Sequence, residues 1–157
     1  MDEKRALLRH TVATAAYRGG KAVRGAPPSF AAYSPDGSLR TAGKILAHIG
    51  DLFDWALSIA KGQQAWNNST PLEWNAEVAR FHDALKRLDD YLASDAPLAC
   101  EPERLFQGAI ADALTHIGQL AMLRRLAGAK ITGENFYQAE IVIGRLGQEQ
   151  AAPRREF

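Results

Sequence analysis

Between Leu39 and Ile59 apolar residues return at helical spacing: Leu39, Ala42, Ile45, Leu46, Ile49, Leu52, Phe53, Ala56 and Ile59. A face this broad needs burial against neighbouring helices. Three further segments carry the same period of about 3.6 residues, and none sustains the alternation of a strand. The expected fold is all-α: a four-helix bundle around one core, with long interhelical crossover loops.

The boundaries follow from local chemistry. The first helix is expected from about Glu3 to about Val23, with Leu7, Leu8, Thr11, Val12, Ala15 and Ala16 at helical spacing. Gly25 to Ser38 breaks the pattern with Pro27-Pro28 and Ser34-Pro35-Asp36-Gly37, and is long for a small bundle. Thr41 or Ser38 can cap the second helix, and Gly62 stops it. Thr70 is the expected N-cap of the third helix, with Pro71 at its first position and Trp74, Val78, Phe81, Leu85, Leu88 and Leu92 inward. The fourth is expected from about Glu103 to about Ala127, ended by Gly128. Phe136 to Arg145 reads as a short C-terminal helix that packs Phe136, Ile141 and Ile143 on the body. Residues 1–147 form one domain in this reading, and 148–157 a polar tail.

Charge excludes some functions. The 19 basic and 18 acidic residues leave a net charge of +1, which gives no electrostatic case for nucleic acid. Arg124-Arg125 and Arg154-Arg155 are too short to track phosphates. The single cysteine, Cys100, rules out an internal disulfide, fits a reducing compartment and reads as a bystander thiol. The first residues, Met-Asp-Glu-Lys-Arg, lack a signal-peptide core, and no apolar run reaches the ~18–20 residues of a membrane span. A cytoplasmic protein is the expectation.

On the fourth helix, Asp112, His116 and Gln119 stand at i, i+4 and i+7, on one side with Leu105, Ala109, Leu120 and Leu123. A polar stripe on a core face needs partners, because an unpaired buried polar group costs about 1–3 kcal/mol. Of the four histidines, His48 shares the side of Ile45 and Leu52, His10 reads as solvated, and His82 sits at the edge of its helix face. Two ligands one turn apart on one helix and a third from a facing helix can hold a zinc, nickel or iron ion with positions left open. The competing reading is a structural network: Asp112 pairs with His116, and Gln119 bonds a backbone group. Asp51, three residues past His48, can bond that ring, but Asp51 and Asp54 read better as solvated acids on the outer face. Trp55 reads as core filling. Tyr17 and Trp66 can wall a pocket, and the Glu134-Asn135 turn can close over the bundle end.

Taken in order, these pieces resemble the DinB-like superfamily of bacterial four-helix-bundle proteins, which includes metal-dependent thiol transferases. The resemblance is carried by Ile45-Leu-Ala-His48-Ile-Gly-Asp-Leu and Ala111-Asp-Ala-Leu-Thr-His-Ile-Gly-Gln-Leu. Trp74-Asn-Ala-Glu77, Phe81-His-Asp-Ala-Leu85 and Gly133-Glu-Asn-Phe136 add to it, and it spans about Leu7 to about Gly147. It implies a divalent metal, zinc or nickel, held by one histidine of the second helix and a His-x-x-x-His pair on the fourth. His48 and His116 match, while Asp112 stands where the family has histidine, so the ligand set becomes His48, Asp112 and His116. A carboxylate ligates the same metals, iron included, but acidifies a bound water less than a third imidazole would. Gln119 matches a recurrent polar position and is expected to orient a ligand or a bound water. The resemblance further implies a hydrolase- or thiol-transferase-type reaction on a small molecule, with a low-molecular-weight thiol as co-substrate, in a homodimer. The competing function is a non-catalytic homodimeric bundle whose stripe is a polar network or small-ligand pocket, with the wide apolar faces of the second and third helices partly at the dimer interface.

Overall fold

Four helical rods pack against one another in the computed structural model, which describes residues 2–157, and these contain no sheet. Helix α1 (Glu3–Val23) starts at Asp2, whose carboxylate accepts from the Lys4 amide. Its inward face is made of small residues, Ala13, Ala16, Gly19 and Ala22 among them, so its neighbours approach closely. A Cβ on Gly19 would lie 2.5 Å from the Phe81 ring. Helix α2 (Ala42–Ala60) is capped by the Thr41 hydroxyl and ends before Gly62, whose φ of 79° suits a residue without a side chain. Helix α3 (Trp74–Ala93) buries the expected Trp74, Phe81, Leu85, Leu88 and Leu92. Both α1 and α2 pack against α3 and against the fourth rod. Among the described residues no helix is long and apolar enough to cross a membrane.

The fourth rod is built in three pieces: α4 (Pro102–Leu105), a wide π turn (Phe106–Ile110) and α5 (Ala111–Leu126). That turn changes the register of everything after it. In a uniform helix Leu105 and Asp112 share a side; a turn with more residues per revolution breaks the alignment. Leu105 and Ile110 are in the core, whereas Asp112 is half exposed. Ala113, Ile117 and Leu120 mark the inward face of α5. The polar stripe therefore runs along the edge of the core face rather than through it, which corrects the expectation of buried polar groups.

Four other expectations are corrected. The third helix begins at Trp74, not at a Thr70 cap, because the preceding strip is spent on side chains. The Ser69 amide donates to Asp51 and the Leu72 amide to Glu77. Asp51 is buried, not solvated, against the Arg80 guanidinium. The segment from Phe136 to Arg145 forms turns instead of a helix. Short helices are marginal on their own, and the turns found here lead into an anchor just past them: Leu146 enters the core, and its carbonyl lies 2.7 Å from Nδ1 of His82. His82 is accordingly buried rather than at an edge. The last residues return to the body, where the Phe157 amide donates to the Gly133 carbonyl and the Asn135 amide to that of Arg155. The apolar faces of α2 and α3 are used mainly inside the chain.

Candidate metal centre

His48 and His116 meet where α2 packs on α5, with ring centroids 4.7 Å apart and planes nearly perpendicular. Asp112 lies one turn before His116. Its two oxygens divide between the rings: Oδ1 is 3.4 Å from Nε2 of His116, and Oδ2 is 4.0 Å from Nε2 of His48. One ligand atom from each residue lies within 4.8 Å of the other two. Two donors each about 2.1 Å from a tetrahedral zinc are about 3.4 Å apart. The Asp112–His116 gap already has that length, and with one ligand atom taken from each residue the triad spans up to 4.8 Å, so the outermost pair closes by as much as about 1.4 Å when an ion is held. These residue types and distances fit a divalent cation.

Neighbours prepare both rings. Nδ1 of His116 lies 2.7 Å from Oε1 of Gln119, a carbonyl oxygen that only accepts. As the Nδ1–H tautomer the ring donates to Gln119 and leaves its Nε2 lone pair toward Asp112 and His48, the arrangement that an ion there requires. Gln119 thus bonds the ring itself rather than a backbone group. His48 is mostly covered, and burial pushes its pKa below the ordinary histidine value; the charges of His116 and Arg40 add to the effect. The ring is kept neutral, the form that binds a metal.

The cover of His48 is aromatic. Trp66 meets the His48 ring edge-on at 5.6 Å and the half-buried Trp55 ring at 5.7 Å. Trp66 belongs to the connection between α2 and α3, and the buried ionic cluster fixes that connection. Arg80 donates to Glu77 (2.9 Å), Ser69 Oγ (3.1 Å), the Ala47 carbonyl (3.1 Å) and Asp54 (3.1 Å), and pairs with Asp51. Burial works against its charge, but Glu77 and Asp51 outweigh it and hold the guanidinium protonated. Gly50 leaves room for this side chain, since a Cβ there would lie 2.8 Å from Nη1. Sequence reading missed Arg80. Its one local trace is the Glu77–Arg80 spacing of three, which any surface ion pair shares.

Beyond the triad a cleft of about 830 Å³ opens between the start of α2 and the end of α5. His48, His116 and Gln119 line it, together with Ile45, Met122 and Leu126. Tyr17 and Glu134, weighed as pocket residues, are engaged elsewhere. The Tyr17 hydroxyl donates to Glu134 (2.6 Å), and Lys21 bonds its other oxygen (2.6 Å). The resulting cluster closes the chain's last turn and stays apart from the triad. Burial raises the Cys100 thiol above its usual value, with Glu101 adding to the shift, which suits a bystander. Compared with family models, with curated proteins and with solved structures, the chain matches none.

Proposed function

We propose that this chain is a DinB-like metalloenzyme, with a divalent ion between α2 and α5 held by His48, Asp112 and His116. The observation that carries the reading is the convergence of three ligand atoms within 4.8 Å beside an apolar cleft. Three protein donors leave positions open, as in catalytic rather than structural sites. An ion there supplies Lewis acidity, lowering the pKa of a coordinated thiol or water. The reaction is of hydrolase or thiol-transferase type on a small molecule, with a low-molecular-weight thiol as co-substrate, in a homodimer.

The chain's own groups have distinct tasks. His48 and His116 offer neutral nitrogens, and Asp112 offers the one negative charge. Gln119 holds the proton of His116 on Nδ1 and keeps that ring from turning. Trp66 limits water on the outer side of His48, and the cleft admits an apolar group on the other.

A second reading is favoured by contacts within α5. Asp112, His116 and Gln119 already meet one another along one helix, as a register-fixing network would. Metal analysis separates the two. Protein purified without chelator or histidine tag is expected to carry about one zinc, nickel or iron per chain, and His48→Ala to lose it. Absence of metal, with no thermal shift on adding any of the three, overturns the metalloenzyme and leaves the network.

A further inference from the structure

The cleft beside the triad is graded along its length. Helices α2 and α5 run antiparallel here: His48 meets His116, while the residues just before α2 share the cleft with the last turn of α5. The polar lining, His48 on α2 and Thr115, His116 and Gln119 on α5, is gathered at the triad end. Beyond it the walls are Leu39 and Ile45 on one side and Met122, Leu123 and Leu126 on the other. Ten residues of α5 separate His116 from Leu126, so the apolar stretch reaches about 15 Å away from the imidazoles. The lining holds no carboxylate, and its one fixed charge, Arg40, stands next to Leu39 at the far end. Depth separates this feature from a flat patch. Leu39, Met122 and Leu126 form a rim, each more than half exposed, whereas Ile45 at 6% and Leu123 at 7% form a floor that water barely reaches. The three rim side chains expose on the order of 300 Å² of apolar surface, the scale of a functional patch and well below the roughly 800 Å² per partner of a standard protein interface.

We infer that this slot holds an uncharged apolar chain of the substrate, its reacting end at the triad and the chain along Ile45, Met122 and Leu126. The inference rests on the metal reading above and names the substrate class for that site. Each part has a physical reason. Polar donors at one end only fix which end of a molecule meets the ion. An ionised group placed between the apolar walls would lose water and gain no partner, so the chain is uncharged. Sites for small molecules bury most of the ligand against apolar walls and orient it with a few polar groups, the distribution found here. A chain lying on Ile45 and Leu123, flanked by Met122 and Leu126, gains from every methylene removed from water. A broad protein face would rest on the rim and leave the floor open.

Hydroxamates serve as probes, because the zinc-binding head stays constant while the chain varies. Acetohydroxamate, butanohydroxamate, octanohydroxamate and an oligoether hydroxamate as long as the last are titrated calorimetrically into protein whose zinc content has been measured. Affinity is expected to climb with chain length, octanohydroxamate binding at least about tenfold more tightly than acetohydroxamate. The oligoether chain, uncharged but polar, is expected to gain nothing over acetohydroxamate. Leu126→Glu should weaken octanohydroxamate and leave butanohydroxamate unchanged, because only the longer chain reaches that turn. Met122 and Leu126 are exposed, so substituting either does not threaten the fold. Zinc uptake with no dependence on chain length overturns the inference and leaves the metal site standing. Failure to take up zinc overturns the metal reading and the inference with it. Equal octanohydroxamate affinity in the zinc-free His48→Ala variant overturns the placement of the reacting end. Equal losses for both chains in Leu126→Glu overturn the placement of the chain. Sedimentation adds one more outcome: a dimer that Met122→Glu splits, with no dependence on chain length, assigns the slot to a second copy and overturns the inference.

Discussion

Nδ1 of His116 stands 2.7 Å from the side-chain carbonyl of Gln119, three residues along the same helix. With the ring as its Nδ1–H tautomer, this bond leaves the Nε2 lone pair toward Asp112 and His48. Partners of this kind typically change metal affinity by about 10–100-fold. Gln119→Leu is therefore expected to weaken zinc binding by about that factor while leaving the exposed position folded. Competition with a chromophoric chelator measures it, and unchanged affinity would remove Gln119 from the site.

Asp112 is the departure from a three-imidazole set, and its substitution tests the donor chemistry. Asp112→His restores the third nitrogen and is expected to keep metal. Asp112→Ala leaves two donors and is expected to lose at least about tenfold in affinity. If Asp112→Ala binds as tightly as the parent, the carboxylate is not a ligand.

Arg80 neutralises carboxylates that are almost fully covered, Asp51 at 4% and Glu77 at 1% side-chain exposure. Removing one partner of such a cluster typically costs about 3–5 kcal/mol. Arg80→Ala should lower stability by that order in urea unfolding. It should also loosen the Ser69–Leu72 strip and part the already exposed Trp66 from Trp55, read as a red-shifted tryptophan emission in the native baseline as Trp55 is uncovered. A loss below about 1 kcal/mol would place the cluster with ordinary surface pairs.

Two glycines predict opposite signs. Gly19 faces Phe81 with no room for a Cβ, so Gly19→Ala should destabilise by about 1–3 kcal/mol through overpacking. Gly118, on the open side of α5, meets nothing within 4 Å. Gly118→Ala should stabilise by about 0.5–1 kcal/mol through helix propensity. Thermal denaturation of the pair checks both, and equal effects would contradict the packing of α1 on α3.

His48 and His82 both have pKa values held below the ordinary 6.5, in each case first by burial. The unfolded chain therefore takes up protons at a higher pH than the native one, so stability falls as pH drops below about 6.5. Metal-free protein should show a Tm that declines from about pH 7 to about pH 5. His82→Asn keeps a donor near the Leu146 carbonyl but cannot titrate, so its decline should be shallower. An identical slope in parent and variant would clear His82 of the effect.

Helix period, a cap at Thr41 or Ser38, Gly62 and the inward rows of α2 and α3 were legible in the sequence because they are local; the structure chose Thr41. Each depends on neighbours within a turn or two, and the structure repeats them closely. The site was legible in part for the same reason. Asp112, His116 and Gln119 are one helix's own spacing, and His48 stood out as an imidazole on an apolar face. Asp51 and the expected helix at Phe136 were misread because their outcome depends on partners far along the chain, Arg80 for the first and His82 for the second.

The sequence by itself determined that the chain is helical, where most helices begin and end, and which donors exist for an ion. Tertiary structure decided whether those donors meet. The π turn at Phe106–Ile110 moved the stripe from the core to its edge, and the packing of α2 on α5 brought His48 to it. Arg80 then fixed the strip that lays Trp66 over that ring. The physical reason is range: capping and periodicity act within one or two turns, whereas a metal site, a buried ion cluster and a cleft are made between segments whose approach only the packed core sets.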